Sequence, residues 1–438
     1  MKKIIVSILM LISFKAFSQA TDTMAISLSQ AIDLGLKNRF DVKANEYNAV
    51  LAANDINKSK KEWIPEISAS GNLHYNTQLQ ATYIPAGFVG LTEPELLAFG
   101  AKNATIAGLD LNQVVYRPGI NSNIKIARNN LDLEKEKNHA DQITVKTQIT
   151  VSYFNMQLKQ LQFDIATNDE ARYKEYFTLA EGKYNNGALI ESDYLHAKLD
   201  YENAKVQTEV AKQSYMLAMD NLKYQVNLPD NVRLVLSDSL SGNNAGYQFQ
   251  ANASADNRTE IKQLLLQQKD NELQLNKVRQ NALPTVSLFA NYSQQYLYDN
   301  FNYTQSKWWT PFSYFGVKVS IPITSNIKNY NNIKEYKLKA QQTDLRLKQE
   351  ITDINYEIQK TMTELKNASH NMQVTHENYT LSNVIYQNKE KQYSLGAFQY
   401  DDLLETEKSL NTAEQNYVKA VYDFLIARFN YEKAIGSL

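Results

Sequence analysis

The sequence predicts a mainly α-helical protein that also contains a few long β-strands. Residues that break helices are scarce, since the 438 residues include only 14 Gly and 8 Pro, and this favours long elements. Apolar residues recur at spacings of three and four in two long regions, which is typical of helices. Apolar and polar residues alternate in short stretches next to prolines, which is typical of strands.

The two long regions are predicted to be helices that pack against other helices. Their apolar or small residues form two stripes: Ile143, Thr147, Thr150, Phe154, Leu158, Leu161 and Ile165, and then Ile351, Ile354, Ile358, Met362, Leu365 and Met372. Such spacing is typical of coiled coils. A helix of about 60 residues is roughly 90 Å long, which is more than a globular domain needs.

Alternation is clearest after Pro65, where apolar and small residues run from Ile67 to Tyr75 with polar residues between them. Val317, Val319 and Ile321 repeat the pattern in the second half. A membrane barrel with lipid outside and water inside shows this alternation. A soluble antiparallel sheet with one solvated face shows it too, so the strands alone leave both explanations open.

Four prolines are predicted to mark junctions between elements. Pro65 and Pro284 stand where a helix gives way to a strand, and Pro118 and Pro322 where a strand gives way to a helix. Proline fixes φ and lacks an N–H, so it suits a place where one hydrogen-bond ladder stops.

Related stretches recur 208 to 219 residues apart, as in WIPEISASGNLHY and ALPTVSLFANYSQ, and this indicates an internal duplication. The predicted first repeat is 19–228 and the second is 257–438, with an inter-repeat segment at 229–256. Each repeat contains a helix, two strands and a long helical hairpin.

Residues 1–18 have two lysines, an apolar core and a small-residue end, which predicts a secretory signal peptide. The chain has no cysteine for a disulfide or a lipid-acylated N-terminus. The net charge of −1 gives no indication of a nucleic-acid partner. The five histidines have no metal-ligand spacing, and no phosphate loop or nucleophile motif is present. We therefore expect no enzyme activity, no metal and no cofactor.

Taken together, these features resemble the TolC-like outer-membrane efflux proteins over essentially the whole mature chain. The stretches that carry the resemblance are SLSQAIDLGLKNRFDVKANEYNA, WIPEIS, ALPTVS, VYRP, IPIT and the C-terminal YSLGAFQYDDLLETEKSLNTAEQNYVKA. The resemblance implies a long antiparallel α-helical coiled-coil barrel and four β-strands per protomer that contribute to a 12-stranded trimeric transmembrane β-barrel. The number of strands agrees with a trimer, because the four strands of one chain cannot close a barrel, whereas the twelve strands of three chains can enclose a lumen.

The resemblance further implies an exit channel of an efflux or type I secretion assembly in the outer membrane of a Gram-negative bacterium. Its partners would be outer-membrane lipid, two further copies of the chain, a periplasmic adaptor (membrane fusion protein) and, through it, an inner-membrane transporter. The alternative is a periplasmic or surface coiled-coil scaffold that forms no channel.

Two similar stretches, KYNNGALIESDYL and YSLGAFQYDDLLETE, interrupt the long helical regions at a glycine. In the family, hairpin tips form the periplasmic end of the tunnel, and these glycines match the tips. The expected tip and adaptor-contact residues are Tyr184, Gly187, Ala188, Tyr393, Gly396 and Ala397. A glycine C-cap without a partner role would have the same geometry.

Asp402 and Glu405 are three residues apart and share a helix face. Their spacing alone favours helix capping, because acids in a first turn complement the helix dipole. The resemblance instead implies acidic rings at the channel constriction, with Asp193 as a further acid at the gate. Best-known family members have a basic residue two positions after the second tip glycine, whereas this chain has Phe398, so the closed-state latch is expected to differ.

Overall fold

The computed structural model describes residues 22–88, 90–238, 255–395 and 400–438. The predicted signal peptide, Gly396 and Ala397 lie outside these residues. The α-helices are α1 (Leu28–Asn38), α2 (Phe40–Lys61), α3 (Pro118–Asn185), α4 (Glu191–Val226), α5 (Thr259–Gln280), α6 (Ser325–Ser394) and α7 (Tyr400–Ala434). The prediction of a mainly helical chain with two very long helical regions is confirmed.

The strands fall into three sheets. They are β1 (Asp22–Ile26), β2 (Glu66–Tyr75), β3 (Ala81–Ile84), β4 (Glu95–Ala98), β5 (Asn103–Tyr116), β6 (Val232–Leu236), β7 (Thr285–Tyr298) and β8 (Trp309–Ser320). The main sheet has the order β2-β5-β7-β8, and all its neighbours are antiparallel. These are the four predicted strands. The parallel pair β1–β6 and the hairpin β3–β4 were not predicted.

All four junction prolines occupy the predicted places. Pro65 directly precedes β2 and Pro284 directly precedes β7. Pro118 is the first residue of α3, where its missing N–H has no intrahelical partner to lose. Pro322 lies between the end of β8 and the start of α6.

The chain forms two compact units, and each takes segments from both halves of the sequence. The helical unit comprises Met1–Tyr47, Glu136–Lys262 and Lys348–Leu438, and the sheet unit comprises Asn48–Lys135 and Gln263–Leu347. The predicted repeats 19–228 and 257–438 divide the chain differently, and they stay a prediction. No helix within the described ranges has the length and apolar character needed to cross a bilayer.

The helical unit has a core of its own around the β1–β6 pair. Ile26, Ile149, Tyr153, Leu222 and Leu234 are fully buried there. The Tyr153 hydroxyl donates to the carboxylate of Asp238 at 2.8 Å, and burial raises the pKa of this phenol. At Gly35 of α1, an added Cβ would collide with Ile149, so glycine permits the close approach of α1 to α3.

Polar side chains connect the helix–strand junctions of the sheet unit to each other and to neighbouring helices. Arg117, directly after β5, forms an ion pair with Glu62 at 2.5 Å. Asn123 also donates to Glu62, at 2.9 Å. Ser122 of α3 donates to Gln280 of α5 at 2.6 Å. These contacts hold the segment before β2 against the segment after β5 and the start of α3, and they join α3 to α5.

Candidate functional site

The first helical hairpin turns at Gly187. Its N–H donates to the carbonyl of Tyr184 (2.9 Å), and the Ala188 N–H donates to the carbonyl of Lys183 (2.8 Å). This pair of bonds, with φ of +74° at Gly187, is a Schellman motif, which ends a helix at a residue in the left-handed region. An added Cβ at Gly187 would meet nothing within 4 Å, so the backbone and not packing requires glycine.

Aromatic rings hold the two helices of this hairpin together. Tyr184 of α3 stacks on Tyr194 of α4 with ring centroids 4.9 Å apart. One helical level further from the turn, Phe177 contacts both Tyr194 and Tyr201. The expected tip residue Tyr184 therefore has a structural contact, while Gly187 and Ala188 are exposed.

A second aromatic group connects α3 to α6 near the same end. The hydroxyls of Tyr176 and Tyr386 are hydrogen-bonded at 2.7 Å. Tyr393 packs edge-on against Tyr176, and Lys183 Nζ lies 5.0 Å from the centre of the Tyr393 ring. Tyr393 thus links the end of α6 to the first hairpin. The second turn itself, with Gly396 and Ala397, lies outside the described residues; α6 ends at Ser394 and α7 begins at Tyr400.

The two predicted constriction acids lie on one exposed face of α7. Asp402 and Glu405 are both exposed, and the hydrogen bonds seen for them within the described part of the chain are to their backbone carbonyls, from Thr406 and Ser409. Leu403 and Leu410 point the other way into a buried cluster. The helix therefore presents free carboxylates on one side and is anchored by the other, as a constriction and a solvated face would both require.

Asp193 lies in the first turn of α4 and is half-buried. Its carboxylate accepts a hydrogen bond from Ser192 at 3.1 Å. Within residues 22–88, 90–238, 255–395 and 400–438, no basic side chain forms an ion pair with it. A role for Asp193 at a gate stays a prediction.

The main sheet has two chemically distinct faces. The register places Ile67, Leu109, Tyr292, Phe315 and Val317 on one face. These side chains are exposed, Ile67 by 68% and Phe315 by 91%. The opposite face contains the polar side chains of Ser68, Ser70, Asn72, Asp110, Asn112, Asn291, Ser293 and Lys318.

The same sheet has two open edges. Among the residues that the structure describes, β2 and β8 each pair with one neighbouring strand, so one side of each strand carries backbone groups without a strand partner there. Exposed apolar side chains beside unpaired strand edges mark a surface for contact with a membrane or for pairing with another chain.

A family model described as outer membrane efflux protein matches residues 31–225 and 251–437, which is most of the chain. The chain belongs to the outer membrane efflux protein family. Members of this family are outer-membrane channels for efflux and not enzymes, and the chain is a Gram-negative outer-membrane protein of this kind. The scaffold alternative has no support from the family match.

Individual relatives are distant but cover most of the chain. The chain is 22% identical over 416 residues to the probable outer membrane lipoprotein SilC of Salmonella typhimurium, covering 93% of this chain and 85% of SilC. It is 24% identical over 319 residues to the cation efflux system protein CusC of Escherichia coli K12, covering 70% and 67% of the two chains. A crystal structure of CusC superposes with a TM-score of 0.72 at 18% identity, covering 97% of this chain and 95% of CusC. The TolC-like fold is therefore confirmed.

Sequence reasoning missed a buried ionic cluster in this efflux protein. Arg172 of α3 donates to Glu407 of α7 at 2.9 Å and also pairs with Asp169, which in turn accepts a hydrogen bond from Asn411. Glu407 is 1% exposed, and in the described structure its second oxygen, Oε2, has no hydrogen-bond partner. Burial raises the pKa of Glu407 and of Asp169, although Arg172 acts to lower both.

The cluster joins α3 to α7 next to the exposed acids, since Glu407 lies two residues after Glu405 on α7. In the sequence, Glu407 looks like one more charge in ETEKSLN and predicts a solvated helix face. One signal could have found it, because Leu403, Glu407 and Leu410 follow the spacing of an apolar stripe. No set of three or more His, Cys, Asp or Glu side chains in the described ranges is arranged to hold a metal ion.

Proposed function

We propose that three copies of this chain form an outer-membrane exit channel of an efflux or type I secretion assembly. The observation that carries the proposal is the main sheet, whose apolar face is exposed and whose two edges are open. Lipid can cover the apolar face, but unpaired edges in lipid are very costly. Pairing with further copies removes them.

The strand directions suit such closure. Neighbours in the order β2-β5-β7-β8 alternate in direction, so β8 of one copy can pair antiparallel with β2 of the next. Two copies would give eight strands, whose side chains fill the interior, while three give twelve and leave a lumen. We also propose that the repeats 19–228 and 257–438 arose by internal duplication.

The helical tips form the gate in this proposal. Exposed Asp402 and Glu405 would place six carboxylates around the opening of a trimer, which attracts cations and repels anions. A periplasmic adaptor, bound in turn to an inner-membrane transporter, would engage the tips around Gly187 and Gly396 and open them. Because one relative is called a cation efflux protein, cations are the first cargo to test.

Conductance of the purified mature protein in planar bilayers tests the channel, together with its mass in detergent. We expect a trimer with a cation-selective conductance, and loss of part of this selectivity in the double variant Asp402→Asn, Glu405→Gln. An unchanged cation selectivity in the double variant would mean that these two acids cap the helix and do not form the constriction. A well-folded protein that never conducts would overturn the channel.

Opening at the tips can be tested separately. The chain has no native cysteine, so a thiol cross-linker reacts only at the introduced positions. Cysteines at positions 183 and 393, where Lys183 contacts Tyr393, can be joined by a short cleavable cross-linker that ties one hairpin to the other. Export in cells should stop and return after cleavage. A matched pair at Tyr184 and Tyr194, which stack within one hairpin, should leave export intact. Unchanged export from a fully cross-linked 183–393 sample would place the gate elsewhere.

A further inference from the structure

A hydrogen-bonded network crosses three strands on the polar face of the main sheet. At its centre, Asp110 of β5 accepts a hydrogen bond from Ser70 of β2 at 3.1 Å and another from the side-chain amide of Asn291 of β7 at 2.8 Å. Asn291 accepts from Ser293 at 2.9 Å. An added Cβ at Gly108 would collide with Ser293, so this glycine makes room for the network.

The network holds the Asp110 carboxylate in place without neutralising it. Its two donors, a hydroxyl and an amide, are both uncharged. Among the described residues, no Lys, Arg or His lies within ion-pair distance of Asp110. Each oxygen accepts one hydrogen bond, and a carboxylate has capacity for about four. The carboxylate is half-buried and can still accept contacts from whatever occupies the space over the polar face.

Direct neighbours on this face are neutral as well. In the register, Asp110 lies between Ser68 of β2 and Asn291 of β7, and Tyr314 of β8 continues the row. The other Asp, Glu, His, Lys or Arg side chains on this face are Glu66 and His74 of β2 and Lys318 of β8, each in a different row. Asp110 therefore carries the only formal charge in its row of the sheet.

We infer that Asp110 is a cation-selecting residue inside the membrane-embedded part of the channel. The inference rests on the proposed trimer, in which the polar face lines the lumen and three Asp110 carboxylates lie at one level. Rings of carboxylates favour cations and slow anions in pores. This ring would act on hydrated cations, separately from the acids of the helical tips.

Asp110→Asn tests the charge, because it keeps the shape and one accepting oxygen while it removes the negative charge. The measurement is the ratio of K⁺ to Cl⁻ permeability, from reversal potentials across bilayers with a KCl gradient, in the Asp402→Asn, Glu405→Gln background so that the tip acids do not mask it. Near 0.1 M salt, where the Debye length is about 10 Å, we expect the ratio to fall by at least about twofold, and by less near 1 M. Asp110→Glu, which restores the charge, should restore the ratio.

The outcomes separate this inference from the channel itself. Conduction with the same ratio in Asp110→Asn would overturn the role of Asp110 and leave the channel standing. Absence of conductance from every form, the unmodified chain included, would overturn the channel and this inference together.

A second measurement checks the location of the side chain and does not depend on selectivity. Cysteines are introduced singly at Asp110 and at its neighbour Leu109, which is on the apolar face and 53% exposed. A charged, water-soluble thiol reagent should react at position 110 and change the conductance, and it should not react at position 109, which lipid covers. Reaction at 109 with none at 110 would overturn the inference.

Discussion

The main sheet and the helical unit differ in how they treat their apolar side chains. The helical unit buries Ile149, Tyr153 and Leu222 completely within one chain. The sheet instead exposes Phe315 and Ile67 and hides few apolar side chains. The contrast teaches that the helical unit has its own core, whereas the sheet leaves apolar side chains exposed beside strands that, among the described residues, pair on one side only.

A lysine on the apolar face of the sheet should have the largest effect. Leu109→Lys places a charge where Ala69 and Tyr292 are its neighbours. In the proposed membrane barrel, a lysine near the middle of the bilayer costs about 2–4 kcal/mol in each protomer. The measurement is unfolding by guanidinium of protein folded into lipid vesicles, with the fraction of heat-resistant trimer as a second readout.

The control for this prediction is Asn112→Lys, three residues away on the polar face. It should change the unfolding free energy by no more than about 0.5 kcal/mol, as surface substitutions usually do. Equal effects of the two lysines would mean that the faces do not differ in environment, and the contrast between sheet and helical unit would fail.

In the helical unit, the largest expected loss of stability comes from the buried ionic cluster. Arg172→Met leaves Glu407 and Asp169 without their counter-charge, and breaking a buried ion pair from one side costs about 3 kcal/mol. Lys419→Met removes one partner of an exposed pair with Asp423 on α7 and should cost less than about 0.5 kcal/mol. Urea unfolding followed by helical circular dichroism measures both. Similar small losses would show that water reaches Glu407 and that the cluster does not hold α3 to α7.

Near the turn between α3 and α4, two Gly→Ala substitutions five residues apart should change the stability in opposite directions. Gly187→Ala forces a side chain into the left-handed region and should destabilise by about 1 kcal/mol. Gly182→Ala replaces a glycine within α3 that also has open space around it, and it should stabilise by about 0.5–1 kcal/mol. Melting temperatures of the two variants test the pair. A stabilising Gly187→Ala would exclude the Schellman turn in solution.

Local patterns in the sequence were sufficient wherever one residue type or one period determines the structure. Alternation from Ile67 to Tyr75 predicted β2, Pro118 predicted the start of α3, and the glycine at 187 predicted the turn. Each of these features depends on neighbours within a few residues. The sequence therefore predicted the order of the long elements and the position of the turn between α3 and α4.

What the sequence did not predict depends on contacts between distant segments. Strand β1 pairs with β6 more than two hundred residues later, as Asp22 with Val232, and five-residue strands carry too little alternation to recognise. Glu407 is buried because Arg172 lies on another helix, 235 residues away. The network around Asp110 likewise needs three strands in register, and no single stretch reveals it.

The smallest predicted effect is a pH dependence at Glu407. Burial is the main cause that raises its pKa above the ordinary value of 4.5, with Asp169 and Glu390 adding to the rise and Arg172 opposing it. A raised pKa means that the folded state holds the proton more strongly, so this stabilisation is complete below about pH 4.5 and is lost as the pH rises through the folded pKa.

Near pH 7, Glu407→Gln loses the ion pair with Arg172 but also avoids burying a charge, so its net effect on the unfolding free energy is small. The unmodified chain should therefore lose unfolding free energy relative to Glu407→Gln as the pH rises from about 4.5, in urea titrations at constant salt. Unfolding free energies of the unmodified chain and Glu407→Gln that stay parallel as the pH rises would mean that water reaches the Glu407 carboxylate in the folded chain.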